Sequence, residues 1–502
     1  MVAALTPVYR VDELRAIEAR HAELPLMERA GRTAADVAQA MAGDRGGQVV
    51  VLAGPGNNGG DAMVVARWLR SWFHDVTVVF IADAAKLPAD AARVHRAFIE
   101  GGGCTVPAPP HAKPALIVDG LFGIGLTRPL SDEFGRLVNW ANRTGSPILA
   151  LDVPTGLHAE TGVASGAVIR ATATAKFIGL TPGLLTGAGP DHCGAITVHS
   201  LELDLRDATL GHRLDWATLA ALLPAALTRA TRNVNKGTFG TLAIVGGAEG
   251  MVGATVLAGR AAMRTGAGKV LLGLAARTHP ALDWNAPELM LRNADTALAG
   301  GADACVIGPG LGTAAAARMC VERALALDVP LVLDADALNL LAVNPELRTA
   351  AQRRSAPTLA TPHPGEAARL LSSDVAAVQS DRLAAGLKLA RELRAHVVLK
   401  GSGSVLAHPD GSWDINTSGG PALASAGTGD VLAGVLGSML AQGLDAKTAL
   451  RYAVCLHGAA ADTLVARGIG PIGLAASELA DAARELINAA SPSRRLIIRP
   501  AV

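Results

Sequence analysis

Two stretches of this chain join a glycine-rich loop to an aspartate and then to an apolar run: "GPGNNGGDAMVVARWL", Gly54 to Leu69, and "AGTGDVLAG", Ala426 to Gly434. Glycine takes positive φ without a Cβ clash, so Gly427-Thr428-Gly429 can turn several backbone N–H groups inward. If a helix starts at Asp430, those groups sit at its positive end and form an anion hole suited to phosphate. Asp430 then lies beside the phosphate, where a carboxylate can serve as base for a hydroxyl that attacks phosphorus. In isolation, a plain turn with Asp as N-cap looks the same. Other stretches weigh against it: Lys400-Gly401-Ser402-Gly403-Ser404 after the strand-like "VVL", "GPGLG" at Gly308 to Gly312, and "TPHPGE" at Thr361 to Glu366, with His363 between two prolines. Each closes an apolar run, and open α/β sheets bind ligands outside the carboxyl ends of their strands. Lys400 adds a charge and the serines add hydroxyls, which suits the phosphates of a nucleotide.

The earlier loop follows a strand-like run but is not G-x-G-x-x-G. Asn57 and Asn58 offer amide oxygens, hard ligands for a cation or partners for a ribose. Asp119 and Asp152 end two later runs, "LIVDG" and "LALDVPTG". In a parallel sheet these carboxylates converge on the rim that carries the Asn-Asn loop. Taken singly, strand-end aspartates form turns or cap helices; together these features point to a site.

The elements that must position these residues alternate strand and helix twice over. Short apolar runs at "QVVVLAG" (Gln48 to Gly54), "VTVVFIA" (Val76 to Ala82), "PALIVDG" (Pro114 to Gly120) and "PILALDVP" (Pro147 to Pro154) read as strands buried on both faces of a parallel sheet. "DAMVVARWLRSWF", Asp61 to Phe73, reads as a helix between them. The pattern fades in the charged stretch "LELDLRDATLGHRLDW", Leu201 to Trp216, a junction. It restarts at Gly240 to Gly247, Gly268 to Ala275, Asp303 to Gly312, Val329 to Leu338, Pro357 to Glu366 and His396 to Gly411, the last with a hairpin turn at Pro409-Asp410-Gly411. The expected architecture is α/β: a Rossmann-like, doubly wound domain over residues 1–210, then a second α/β domain over residues 211–502.

Composition narrows the function classes. A chain of 502 residues with 50% hydrophobic content can build more than one core. A net charge of +1 without runs of like charge, and only 3% aromatic residues, argue against a nucleic-acid partner. The scattered Cys104, Cys193, Cys305, Cys320 and Cys455 form no C-x-x-C pair and read as reduced thiols. No apolar stretch reaches the ~18 residues of a membrane span, and the N-terminus lacks a signal-peptide core. A cytoplasmic protein without a membrane partner is expected.

The order GPGLG, TPHPGE, KGSGS, AGTGD resembles the ADP/ATP-dependent NAD(P)H-hydrate dehydratases of the ribokinase-like superfamily. "KGTFGTLAIVGG", Lys236 to Gly247, and "GATVLAGRAAMRTGAGKV", Gly253 to Val270, look like that family's opening strand and helix, with Asn235 where histidine is expected. The resemblance implies a ribokinase-like second domain in which Lys400, Gly401, Ser402, Gly403, Ser404 and Gly429 hold the adenine nucleotide. It implies that Asp430, His363, Gly310 and Ala254 contact the hydrated nicotinamide nucleotide. It also implies Mg2+ bridging the phosphates, and Asp430 as base for phosphoryl transfer to the hydrate's hydroxyl.

"LMERAG" (Leu26 to Gly31), "GPGNNGGD", "DGLFGIGLTRPL" (Asp119 to Leu130) and "LDVPTG" (Leu151 to Gly156) resemble the NAD(P)H-hydrate epimerases. That resemblance implies substrate contacts at Asn57, Asn58, Gly59, Gly60 and Asp61, at Gly123, Ile124, Gly125, Leu126, Thr127, Arg128 and Pro129, and at Asp152. It implies K+ near Asn58, Asp119 and Thr155, the last standing where serine is frequent. Asp152 is the acid/base candidate. A homo-oligomer is expected, and together the resemblances imply an enzyme that interconverts the R and S hydrates of NADH and NADPH. It would dehydrate the S form at the expense of ADP, releasing AMP and phosphate. Competing expectations are a vitamin or sugar kinase on the same fold, and a nucleotide-sensing module without turnover.

Overall fold

The computed structural model describes residues 4–491 except 44, 45, 204, 206–208 and 230. The chain forms two compact units, Pro7–Leu210 and Gly211–Val502, the latter joined by the residues up to Thr6. Part of the charged junction, residues 204 and 206–208, lies outside the described residues.

The first unit holds a seven-stranded sheet in the order Thr105–Val106, Val76–Phe80, Val49–Ala53, Leu116–Gly120, Ile148–Leu151, Ala173–Phe177, Ala195–His199. All its neighbours pair in parallel. Side chains alternate along a strand, so Val49, Val51 and Ala53 join one core with the helices Leu26–Ala42 and Asn57–Ser71, while Val50 and Leu52 join another with Asp132–Arg143. Two buried faces explain why these strands read as continuous rather than alternating apolar runs. The helix expected from Asp61 begins at Asn57 and ends at Ser71, so the Asn-Asn-Gly-Gly run forms its first turn. "LMERAG" supports that turn from behind: a Cβ at Gly60 would lie 2.6 Å from Met27 Sδ, and one at Gly31 would lie 2.5 Å from Val64 Cγ1.

The second unit carries an eleven-stranded sheet edged by the short strand Thr6–Val8. From there the order is Gly211–Leu214, Trp413–Asn416, Ser404–Ala407, His396–Leu399, Thr358–Ala360, Leu331–Leu333, Ala304–Ile307, Thr241–Gly246, Lys269–Leu274, Met290–Asn293. The strands from His396–Leu399 through Met290–Asn293 pair in parallel. The hairpin turn at Pro409-Asp410-Gly411 is present between Ser404–Ala407 and Trp413–Asn416. A second antiparallel pairing makes Lys400 to Gly403 a hairpin loop as well as a strand end.

The helix expected from Asp430 begins two residues earlier, at Thr428, and runs to Ala441. Gly427, at φ 86°, is the N-cap, so Asp430 stands inside the first turn and is not the capping residue. Thr428 Oγ1 pins the entry by donating to Leu423 O at 2.9 Å and Ser425 O at 3.0 Å. Farther along, a Cβ at Gly434 would lie 2.7 Å from the Ala258 carbonyl carbon, so glycine there lets this helix pack closely on Val252–Arg264. The described residues contain no helix long and apolar enough to cross a membrane, and the cysteines are free thiols.

Candidate active sites

In the first unit, the ends of Leu116–Gly120 and Ile148–Leu151 bring Asp119, Asp152 and Thr155 to the start of the helix Asn57–Ser71. Asp119 is buried; Oδ2 accepts from Thr155 N at 2.9 Å, and Oδ1 accepts from Thr155 Oγ1 at 2.7 Å. Burial pushes its carboxyl up to about 6 against the pull of these Thr155 donors. Phe122 N donates to Thr155 Oγ1 at 3.0 Å, which ties the next loop to the same knot. Asn58 is buried, and its Oδ1 and Nδ2 find no partner among the described residues. A Cβ at Gly123 would lie 2.7 Å from Asp152 Oδ2 and 3.5 Å from Asn58 Oδ1, so glycine here lets the loop pass between the two side chains.

Asp152 adopts φ 62°, a left-handed conformation unusual for a residue with a Cβ. Its Oδ2 accepts from Ile124 N at 3.1 Å, and Oδ1 pairs with the Lys176 ammonium. Burial, then the charge of Asp152, pushes the carboxyls of Asp61 and Glu18 upward, Asp61 the further. Gly123 and Ile124 therefore reach the carboxylate cluster, whereas Gly125, Thr127, Arg128 and Pro129 lie on the exposed side of their loop.

In the second unit, the loops after four adjacent parallel strands share one rim. Gly310 approaches the helix that carries Ala254: a Cβ there would lie 3.1 Å from Ala254 Cβ. Asp334, buried at the end of Leu331–Leu333, accepts from Thr361 Oγ1 at 2.5 Å and pairs with Lys400 Nζ at 3.3 Å. Asp336 accepts from Gly312 N at 2.8 Å. Burial opposes the charge on Lys400, yet Asp334 and then Glu366 hold its ammonium above the ordinary value. Across the loop, a Cβ at Gly429 would lie 3.4 Å from Lys400 Nζ, which brings two of the expected nucleotide-binding residues together. Asp430 is pushed up to about 6 by burial first and by Asp334 next, against the pull of Lys400. His363 caps the helix Pro364–Leu370, its Nδ1 accepting from Gly365 N at 2.9 Å, and half of its side-chain surface stays exposed.

Residues 23–183 match the family described as YjeF-related protein N-terminus, and residues 242–484 match NAD(P)H-hydrate dehydratase. The chain is 38% identical over 495 residues to the bifunctional NAD(P)H-hydrate repair enzyme Nnr of Escherichia coli (strain K12), across 96% of this chain and 94% of that protein. It belongs to the bifunctional NAD(P)H-hydrate repair enzymes. A Leishmania infantum member is 36% identical, with 93% of this chain and 90% of that one covered. The crystal structure of an ADP/ATP-dependent NAD(P)H-hydrate dehydratase from Bacillus subtilis, co-crystallized with ATP/Mg2+, is 32% identical; the match covers 56% of this chain and 99% of that chain at a TM-score of 0.48. As a family member, this repair enzyme carries the epimerase in its first unit and the ADP-dependent dehydratase in its second.

Sequence reasoning passed over several residues of both sites. Asp334 ends a strand in "LVLDAD", the signal that singled out Asp119 and Asp152. Lys176 is a lysine inside the buried strand Ala173–Phe177, a position at which a charge needs a partner. Glu18 and His457 carried no signal. His457 lies on Ala446–Ala466, and burial pushes it down to about 4 beside Thr428 and Lys400.

Proposed function

We propose that the second site dehydrates its substrate by phosphoryl transfer, with Asp430 as the base. The hydrated nicotinamide ring carries a hydroxyl; hydroxide leaves poorly, whereas phosphate leaves well. Asp430 accepts the hydroxyl proton while the oxygen attacks the terminal phosphorus of ADP and the bond to AMP breaks. Loss of phosphate, with the neighbouring carbon's proton, restores the dihydropyridine. Lys400, Gly401, Ser402, Gly403, Ser404 and Gly429 bind the nucleotide, and Ala254, Gly310 and His363 orient the hydrate. Mg2+, when bound, neutralises charge across the phosphates. Asp334 and Asp336 are already engaged, and no group of three His, Cys, Asp or Glu side chains among the described residues suits a metal.

The observation that carries this reading is the position of Asp430: in the first turn of a helix opened by a left-handed glycine, with its carboxyl pushed up to about 6. A base near the operating pH is what general-base catalysis favours. The protein given S-NADH hydrate and ADP should regenerate reduced-nicotinamide absorbance, and Asp430→Asn should bind ADP and regenerate it ~10²–10⁴-fold more slowly. Full activity in that variant removes Asp430 as the base.

For the first site, we infer that Asp152 moves the proton in R/S exchange. Asn57 to Asp61 and Gly123 to Pro129 contact the substrate. The unpartnered Asn58 amide, together with Asp119 and Thr155, is a donor set that fits K+, whose fixed charge would orient the substrate. Replacing K+ by Li+ should slow exchange and leave dehydration of the S form unchanged. Exchange indifferent to the alkali ion would argue against a cation there.

A further inference from the structure

We propose that Lys176 is a positioning residue of the epimerase site: its ammonium grips one carboxylate oxygen of Asp152 while the Ile124 N–H grips the other, so that the side chain meets the substrate in one orientation. This rests on the reading of Asp152 as the acid/base group. Lys176 lies on Ala173–Phe177, the parallel neighbour of Ile148–Leu151, and Asp152 follows that strand's end. At 0% exposure, Lys176 has no route to the substrate and acts through Asp152.

Three observations converge on the clamp. Both Asp152 oxygens are engaged, Oδ1 by Lys176 and Oδ2 by Ile124 N at 3.1 Å. Its backbone is at φ 62°, a conformation that persists only where the surroundings over-determine it. Gly123 leaves no spare room, since a Cβ there would lie 2.7 Å from Oδ2. The charges also fit. A buried lysine needs a partner, because an unpaired buried ion is costly. Of the acidic groups acting on one another here, Asp152, Asp61 and Glu18, it is Asp152 that pairs with Lys176, while burial and the charge of Asp152 push the carboxyls of Asp61 and Glu18 upward.

The test measures R/S exchange in the full-length protein with K+ present, for wild type, Lys176→Met, Lys176→Arg, Asp152→Asn and the Asp152→Asn/Lys176→Met double variant. Lys176→Met should lower kcat on the order of 10²-fold with KM nearly unchanged, the mark of lost orientation at the reacting atom and not of lost binding. Lys176→Arg, which keeps the charge, should recover part of kcat. The double variant removes both charges of the pair together and should melt close to wild type, showing that the fold tolerates a neutral residue at position 176. An unchanged kcat in Lys176→Met overturns the proposal. So does a fall in kcat matched by the same proportional loss of folded protein, which marks Lys176 as structural only. Normal exchange in Asp152→Asn sinks the underlying reading of Asp152, a result distinct from either.

Discussion

The two candidate catalytic aspartates are served by lysines allotted in opposite ways. In the first unit, Lys176 pairs directly with Asp152, the acid/base candidate. In the second, Lys400 pairs with Asp334 at 3.3 Å, and Asp430 feels it only at longer range. The same loop grammar, glycines at a strand end or helix start beside an aspartate, therefore sets up two different electrostatic states. Beside the Lys400–Asp334 pair, burial and then Asp334 push the Asp430 carboxyl upward; beside the Lys176–Asp152 pair, burial and then Asp152 push those of Asp61 and Glu18 upward. The same motif thus stands beside a different buried ion pair in each unit.

The sharpest way to break this comparison is to neutralise each aspartate. Asp430→Asn should cost dehydration ~10²–10⁴-fold and leave R/S exchange intact, and Asp152→Asn should do the reverse. Assays of both activities on each variant check this; a variant that damages both would mean that the two sites are not chemically independent.

A smaller effect comes from the glycines that face the two clusters. Gly123→Ala would set a methyl 2.7 Å from Asp152 Oδ2, which is held from both sides, whereas a Cβ at Gly429 would stay 3.4 Å from the tip of Lys400. Overpacking of that kind typically costs about 1–3 kcal/mol. Gly123→Ala should therefore slow exchange on the order of tenfold or more, while Gly429→Ala changes dehydration less. Equal losses would show that Lys400 is as tightly fixed as Asp152.

The pH dependence sharpens the picture further. With the Asp430 carboxyl at about 6, kcat/KM for dehydration should fall as the pH drops through that value, because the base becomes protonated. Asp334→Asn removes the largest like charge acting on Asp430, so this limb should move to lower pH in the variant. An unmoved limb would assign the titration to another group. The smallest effect is on stability. Folding raises the Asp430 carboxyl from 3.8 to about 6, so the folded state favours the protonated form. Its stabilising contribution is complete below the lower value and is lost as pH rises through the higher one. Thermal melting of Asp430→Asn should show less loss than wild type across that window.

Much of the fold was legible because strands buried on both faces leave a simple trace: short, continuous, β-branched runs closed by Gly, Asp or Pro, as in "VVVLAGPG" and "LIVDG". The candidate site residues that stand at those closures were legible for the same reason, since a parallel sheet sends all its strand ends to one rim. Element starts were less so. The helix entered at Thr428 because Gly427 could take φ 86° and let Thr428 bond back to the preceding loop, which moved Asp430 from cap to first turn.

What the sequence determined by itself is the set of strand-end loops and the aspartates beside them, because glycine freedom and hydrophobic periodicity are local properties. What only the tertiary structure decided is which charges meet. Lys176 and Asp152 are 24 positions apart, and Lys400 and Asp334 are 66. The first pair comes from adjacent parallel strands, the second reaches across the intervening strand Thr358–Ala360, and an ionisation state depends on distance in space and on loss of water, neither of which is written along the chain.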